Sequence, residues 1–337
     1  MIGVGIIGYG YWGPNVVRNV TESPGAQVRR VCDLRQARLD QVAARYPGVA
    51  CSQDAEDVFQ DPTVDAVVIV TPVSTHFDFT LRALKAGKHV LVSKPLTANS
   101  GEARQLIDEA AKRRLVLMVD HTFVYTGAVR KIKELVSSGQ LGDVYYYDSV
   151  RVNLGLFQHD VSVVWDLAVH DLSILDYVIE ARPKAVSAVG MSHVAGEPEN
   201  IAYLTLFFPD RLIAHIHVNW LAPVKIRRTL IGGSRQMIVY DDIEPSEKVK
   251  LYDRGISVSD ATTEGVYNML VSYRTGDMWA PKLDQAEALR LETAHFLDCI
   301  QTGHTPITDG ESGLRVVRIL EAAHQSMREQ GRPVTLS

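Results

Sequence analysis

Short, almost continuous apolar runs alternate with amphipathic stretches in the first third of the chain. Val4-Gly5-Ile6-Ile7, Val28 to Cys32, Val64 to Val70, Val90 to Val92 and Leu115 to Val119 predict strands. Val16 to Thr21, Gln36 to Tyr46, Ser74 to Ala86 and Ser100 to Lys112 predict helices, the third ending at Gly87, a natural C-cap. The V-D-A-V-V-I-V run has the apolar continuity of a strand covered on both faces. Strand-helix alternation of this kind predicts a parallel sheet with crossover helices.

The rhythm changes after Asp120. A helix over Gly127 to Ser138 is followed by a tyrosine-rich strand, Val144 to Val152, and a helix over Val163 to Ile179. Five strands then succeed one another: Ala185 to Val189, Ala202 to Phe208, Leu212 to Trp220, Ile226 to Ile231 and Met237 to Tyr240. Strands in succession predict a largely antiparallel sheet. Residues 253–281, rich in Gly, Ser and Thr, read as a long loop, and helices over Leu283 to Thr302 and Gly310 to Gln330 close the chain. The expected domains are 1–120 and 121–337, the last helix packing back on the first.

Composition narrows the class. The chain has 337 residues, enough for about two domains at roughly 150 residues each. An apolar fraction of 46% sets it apart from disordered chains. No apolar run reaches the ~18–20 residues that span a bilayer. A formal charge of −5 gives none of the basic excess of a dedicated nucleic-acid binder. Cys32, Cys51 and Cys299 are odd in number and form no C-x-x-C, so neither a disulfide framework nor a metal site is indicated. The N-terminus lacks a basic region and runs directly into a glycine motif, which predicts a cytoplasmic protein without a signal peptide.

That motif is Gly8-Tyr9-Gly10-Tyr11-Trp12-Gly13, a G-x-G-x-x-G between a strand and a helix. The first glycine allows a tight turn, the second lets a pyrophosphate approach the backbone, and the third lets helix and strand pack closely. The helix N-terminus adds N–H groups and a positive dipole end. Asp33 ends the second strand, twenty residues beyond Gly13, where a carboxylate binds the adenosine ribose and repels a 2′-phosphate. NAD is therefore the expected cofactor, although Arg35 and Arg38 soften the discrimination.

Three further groups fall at ends of predicted elements. Ser93-Lys94-Pro95 follows the fourth strand, at the carboxyl edge where open α/β sheets bind ligands. Lys94 there either donates to a substrate hydroxyl or is an ordinary solvated lysine. Thr71-Pro72-Val73-Ser74-Thr75-His76 follows the third strand and reads both as a nicotinamide-side loop and as a helix cap. Asp166 and His170 stand at i, i+4, on one face of an α-helix, with Trp165, Leu167, Leu172 and Ile174 as apolar surroundings. A carboxylate beside an imidazole raises its pKa and selects a tautomer, as in an acid–base pair; a surface pair is the plainer reading. His215 and His217 alternate along one strand and read as interface or surface groups.

G-Y-G-Y-W-G, T-P-x-x-x-H, Lys94-Pro95 and Asp166-x-x-x-His170, in this order and spacing, resemble the Gfo/Idh/MocA oxidoreductases over essentially the whole chain. The resemblance implies an N-terminal Rossmann domain, with a doubly wound parallel sheet, and a C-terminal α/β domain on a large open mixed sheet that serves as the oligomer interface of a homodimer or homotetramer. It implies NAD(P)-dependent chemistry on sugars, sugar nucleotides or inositols. Lys94 matches the family's catalytic lysine, and Asp166 and His170 its Asp/His pair. Gly8, Gly10, Tyr11, Trp12, Gly13, Asp33, Thr71, Pro72, His76, Ser93 and Lys94 would line the cofactor. Family members usually carry Glu-Lys-Pro; Ser93 here removes a charge expected to hold the nicotinamide ribose.

The Asn153-Leu154-Gly155-Leu156-Phe157-Gln158 stretch leading to Asp166, and Val239 to Pro245, are similar to nucleotide-sugar dehydrogenases. The expected activity is oxidation of the C3 hydroxyl of a nucleotide sugar such as UDP-N-acetylglucosamine. Asn153, Phe157 and Gln158 would line the sugar site with Lys94, Asp166 and His170. An inositol or free-sugar dehydrogenase, or a catalytically silent NAD sensor, is the alternative.

Overall fold

The computed structural model describes residues 1–155, 161–253, 255–258 and 271–336. The chain divides into two compact units, Met1–Thr126 with Ala286–Glu321, and Gly127–Gln285 with Ala322–Ser337.

In the first unit, β1 (Ile2–Ile7), α1 (Gly13–Glu22), β2 (Ala26–Cys32), α2 (Gln36–Arg45), β3 (Ala50–Ser52), α3 (Glu56–Phe59), β4 (Ala66–Ile69), α4 (His76–Lys85), β5 (His89–Ser93), α5 (Ser100–Arg113) and β6 (Leu117–Asp120) alternate as expected. All six strands run parallel in the order β3-β2-β1-β4-β5-β6. This is the doubly wound Rossmann order, whose ligand crevice opens where the order reverses beside β1. β1, β4 and β6 are buried at every residue, because helices cover both faces. α5 shows how the helices dock. Asn99 caps it by accepting the Glu102 N–H at 2.9 Å, and Ala103, Leu106 and Ala110 form its buried stripe. β3 and α3 have no counterpart in the expectation; each is a single short element with little periodicity.

The second unit begins with α6 (Gly127–Ser137) and β7 (Val144–Leu154), followed by α7 (Val169–Val178). The expected helix Val163–Ile179 is two pieces, a π-helical turn over Val164–Ala168 leading into α7. β8 (Ala185–Met191), β9 (Ile201–Phe207), β10 (Ile213–Asn219), β11 (Leu221–Gly233), β12 (Met237–Asp241) and β13 (Val249–Tyr252) then succeed one another. The long loop expected over 253–281 is corrected: β14 (Gly255–Val258) pairs antiparallel with β15 (Val271–Arg274), and β16 (Met278–Trp279) joins the main sheet. Helix α8 spans Ala288–Thr302, five residues shorter at its start than expected, and α9 spans Gly310–Arg328. α8 and the part of α9 up to Glu321 belong to the first unit. β17 (Val334–Thr335) pairs with β8.

The larger sheet has the order β16-β13-β12-β11-β7-β10-β9-β8-β17 and is antiparallel except at β7 and β10. Strict alternation makes it one-sided: Ala202, Leu204 and Leu206 on β9 and Ala214, Ile216 and Val218 on β10 are buried, while Tyr203, Phe207 and Ile213 are exposed on the opposite face. His215 and His217 share that open face, where Tyr203 stacks on His217 with centroids 4.4 Å apart. β11 loses register with β7 between Leu221 and Ile226, around Pro223, which has no N–H to donate. Among the described residues, no helix is long and apolar enough to cross a membrane.

Candidate active site

The glycine-rich turn leaves β1 at its carboxyl end. Gly8 has φ +102°, and a Cβ there would lie 2.4 Å from the Val70 carbonyl oxygen, so both backbone conformation and space require glycine. A Cβ on Gly13 would meet the Gly8 carbonyl at 2.6 Å, which is the close turn-to-helix packing the third glycine provides. Gly10 differs: only the Arg35 guanidinium lies within 4 Å of its would-be Cβ, leaving its backbone open to a ligand. α1 starts here with Pro14 in its first turn, no side-chain cap and no acidic residue. Its N-terminus therefore keeps its affinity for a phosphate. Tyr11 is 90% exposed, Trp12 is half-buried and Tyr9 is buried.

Asp33, just past β2, fits the ribose position and is buried. Its Oδ2 accepts the Tyr9 N–H at 2.8 Å, and its Oδ1 accepts the Arg35 N–H at 2.9 Å and the Arg35 Nε at 3.2 Å. Burial opposes ionisation, yet these donors and the Arg35 charge outweigh it and hold the carboxyl below the usual aspartate range. Next to it, burial and the Asp33 charge push the Cys32 thiol up to about 11, consistent with an inert filler residue. An open glycine turn, an uncapped helix start and an ionised acid at the end of β2 together fit a dinucleotide.

Two more loops leave the same sheet edge. Thr71 Oγ1 lies 2.7 Å from Thr75 Oγ1, and Thr75 Oγ1 donates to the Pro72 carbonyl at 2.8 Å, closing the turn into α4. Pro72 is exposed and Thr71 half-buried. His76 is fully buried, with Nδ1 2.8 Å from the Pro95 carbonyl and Nε2 2.9 Å from the Thr71 carbonyl. It therefore clasps the Thr71 loop to the Lys94-Pro95 loop from behind. Burial pushes its pKa down; the two carbonyls favour the cation and the Lys94 charge opposes it. Ser93 and Lys94 are half-buried at the end of β5, joined by the cis Lys94-Pro95 peptide to the segment that His76 holds. Ser93 sits beside Asp120 in the β5–β6 register.

In the second unit, Asp166 lies within the π-helical turn and His170 in the first turn of α7. The i, i+4 relation of a regular α-helix is thus replaced by a wider turn, a form common at functional sites. Asp166 Oδ2 accepts the indole N–H of buried Trp220 at 3.2 Å. Asn153 is half-buried on β7, on the face that also carries Ser149 and Arg151. Phe157 and Gln158 lie outside the described residues.

Beneath His170 lies a network the sequence reading missed. Arg151 and Asp171 are both buried, bonded through Nε–Oδ2 at 2.7 Å and Nη2–Oδ1 at 3.3 Å. Ser149 donates to Asp171 Oδ1 at 2.7 Å, and Tyr147 donates to the Asp171 carbonyl at 3.3 Å. These bonds pin the first turn of α7 to β7. The only signal in the sequence is the D-x-x-x-H-D run, in which the second aspartate looks like a surface group.

Comparison with known proteins agrees with this geometry. Residues 2–121 match the family described as "Oxidoreductase family, NAD-binding Rossmann fold", and residues 129–239 match the GFO/IDH/MocA C-terminal domain. The chain is 26% identical over 350 residues to scyllo-inositol 2-dehydrogenase (NAD(+)) of Bacillus subtilis, covering 100% of this chain and 95% of that protein. It is 30% identical over 258 residues to UDP-N-acetylglucosamine 3-dehydrogenase of Acidithiobacillus ferrooxidans, covering 75% and 76%. The solved structure of a UDP-N-acetylglucosamine 3-dehydrogenase from that organism superposes with a TM-score of 0.79 at 27% identity, covering 97% of this chain and 98% of that one. The chain belongs to the Gfo/Idh/MocA family of oxidoreductases, with an NAD-binding Rossmann domain at its N-terminus.

Proposed function

We propose that this protein is an NAD-dependent dehydrogenase that oxidises a ring hydroxyl, at C3, of a nucleotide sugar such as UDP-N-acetylglucosamine. The observation that carries the reading is the placement of Lys94 at the carboxyl end of β5, in the sheet and at the edge that present the glycine turn and Asp33. The choice of substrate is supported by the 30% identity to the Acidithiobacillus ferrooxidans enzyme.

Bound NAD would supply the hydride acceptor at nicotinamide C4. Gly8 and Gly13 set the turn, Gly10 leaves room for the pyrophosphate, Asp33 takes the ribose hydroxyls, and Thr71, Pro72 and Ser93 border the nicotinamide side. His170 takes the proton of the sugar hydroxyl while that carbon gives up its hydride. Asp166, itself held by Trp220, orients the imidazole for its work as general base. Lys94 donates to the same oxygen and stabilises developing alkoxide charge. Asn153, Phe157 and Gln158 border the sugar. The discrimination against NADP rests on Asp33, with Arg35 as its counterweight. Two copies or four would associate through the open face of the large sheet, where Tyr203, Phe207 and Ile213 are exposed.

The full-length similarity to an inositol dehydrogenase supports a second reading with the same catalytic groups. NADH formation on UDP-N-acetylglucosamine and on myo-inositol separates the two. Turnover on the nucleotide sugar supports the proposal; turnover on inositol alone transfers it to the second reading; binding of NAD without turnover on a broad sugar panel favours a sensor.

A further inference from the structure

One buried carboxyl group lies outside the machinery described above. Glu292 on α8 is fully buried, and neither of its oxygens completes a hydrogen bond of ordinary geometry with a protein donor. The nearest donors are already committed. The Thr122 hydroxyl donates to Asp120 Oδ1 at 2.5 Å, and the His121 N–H donates to the Val119 carbonyl at 2.8 Å. Within hydrogen-bonding reach stands another carboxyl, that of Asp120 at the end of β6. Two buried carboxylates in contact repel, and an unpaired buried charge is expensive. A single proton between them removes both problems.

The two acids are not equivalent. Asp120 accepts the Trp12 indole N–H on Oδ2 at 3.0 Å and the Thr122 hydroxyl on Oδ1, so the negative charge resides there. The proton then resides on Glu292. Burial and the Asp120 charge both push the Glu292 pKa well above its usual value. Trp12 is the residue that immediately precedes α1, inside the glycine-rich turn.

We propose that Glu292 is a positioning residue for the dinucleotide site: as a neutral acid it donates its proton to Asp120, whose carboxylate grips the Trp12 indole and so fixes the glycine-rich turn. The proposal rests on that turn holding the dinucleotide. It makes affinity pH-dependent. When Glu292 loses its proton as pH rises, the donor to Asp120 disappears, the two charges repel, and the grip on Trp12 loosens. Arg18 of α1 pairs with Glu287 at 2.6 Å at an exposed position, and His295, one turn along α8, lies against the Tyr125 ring.

The test is direct binding of NAD to the full chain between pH 7 and pH 10, for wild type, Glu292→Gln and Trp12→Phe. A hydrogen bond to a charged group corresponds to about tenfold in affinity. Wild type should bind about tenfold more weakly at the alkaline end. Glu292→Gln keeps a donor that does not titrate and should bind as wild type at pH 7, with no more than about a twofold change across the range. Trp12→Phe retains the ring and loses the donor, so it should be about tenfold weaker at pH 7 and flat with pH. Ionisation of Cys32 or Tyr9 persists in Glu292→Gln, so a fall shared equally by it and wild type overturns the proposal. A wild type that binds NAD with no pH dependence in this range also overturns it. A wild type that does not bind NAD at all overturns the reading of the turn as well.

Discussion

Replacing Asp171 by alanine takes from the buried Arg151 guanidinium the carboxylate that accepts two of its hydrogen bonds. The Arg151 and Asp171 side chains are only 4% and 3% exposed. Removing one member of such a pair costs ~3–5 kcal/mol, because the remaining charge keeps its desolvation penalty without its partner. An exposed pair such as Lys133–Glu180 would cost at most about 1 kcal/mol. The Ser149 hydroxyl also loses its acceptor, which places the cost toward the upper end of the range. For a unit of this size the loss corresponds to roughly 10 °C in melting temperature. Urea unfolding followed by tryptophan fluorescence reads it, since Trp220 is buried in the same unit. Arg151→Met with Asp171→Leu removes both charges and should recover most of the stability. A loss below about 1 kcal/mol in Asp171→Ala, at unchanged m-value, would refute the claim that this pair pins α7.

Three further outcomes follow from the site. Gly8→Ala forces a Cβ into the left-handed region and within 2.4 Å of the Val70 carbonyl, so calorimetry should show NAD affinity falling at least about tenfold. Asp33→Ala removes the proposed ribose acceptor and frees the Arg35 guanidinium from its carboxylate, so that it could meet a 2′-phosphate. The NADP-to-NAD ratio of kcat/KM should rise at least about tenfold, and Arg35→Ala in the same background should reverse the gain. The third outcome concerns acid stability. The folded pKa of Asp33 is lowered from an unfolded value near ~3.9, so its stabilisation is complete above that value and lost as pH falls through the folded one. Asp33→Asn should therefore be less stable than wild type at pH 7, and denaturation curves should show the gap closing below about pH 4.

Legibility in the sequence followed periodicity. β1, β4 and β5 were readable because parallel strands covered on both faces are runs of Val, Ile and Leu, and the glycine turn because its three glycines answer to separate steric demands. β3, with three residues, and α3, with four, are too short to show a period. β14 and β15 lie in a stretch whose Gly, Ser and Thr content imitates a loop. The π turn at Val164–Ala168 was invisible, since an α-helical spacing of Asp166 and His170 fits the same residues. Arg151, Asp171, Asp120 and Glu292 escaped because a charged residue reads as solvated until its partner is known, and these partners lie 20 and 172 positions apart in the chain. His76 was singled out as a cofactor neighbour; its burial and its two carbonyl contacts, which no sequence pattern shows, also make it the link between two loops.

Hydride transfer from C3 of a nucleotide sugar is tested with UDP-N-acetylglucosamine carrying deuterium at C3. Mass spectrometry of the reduced dinucleotide reads where the hydride came from. Transfer from C3 puts deuterium in the dinucleotide and leaves a 3-keto sugar nucleotide as the second product, and His170→Ala should lose ~10²–10⁴-fold in turnover with NAD binding retained. Reduced dinucleotide without deuterium, or full turnover in His170→Ala, would contradict it.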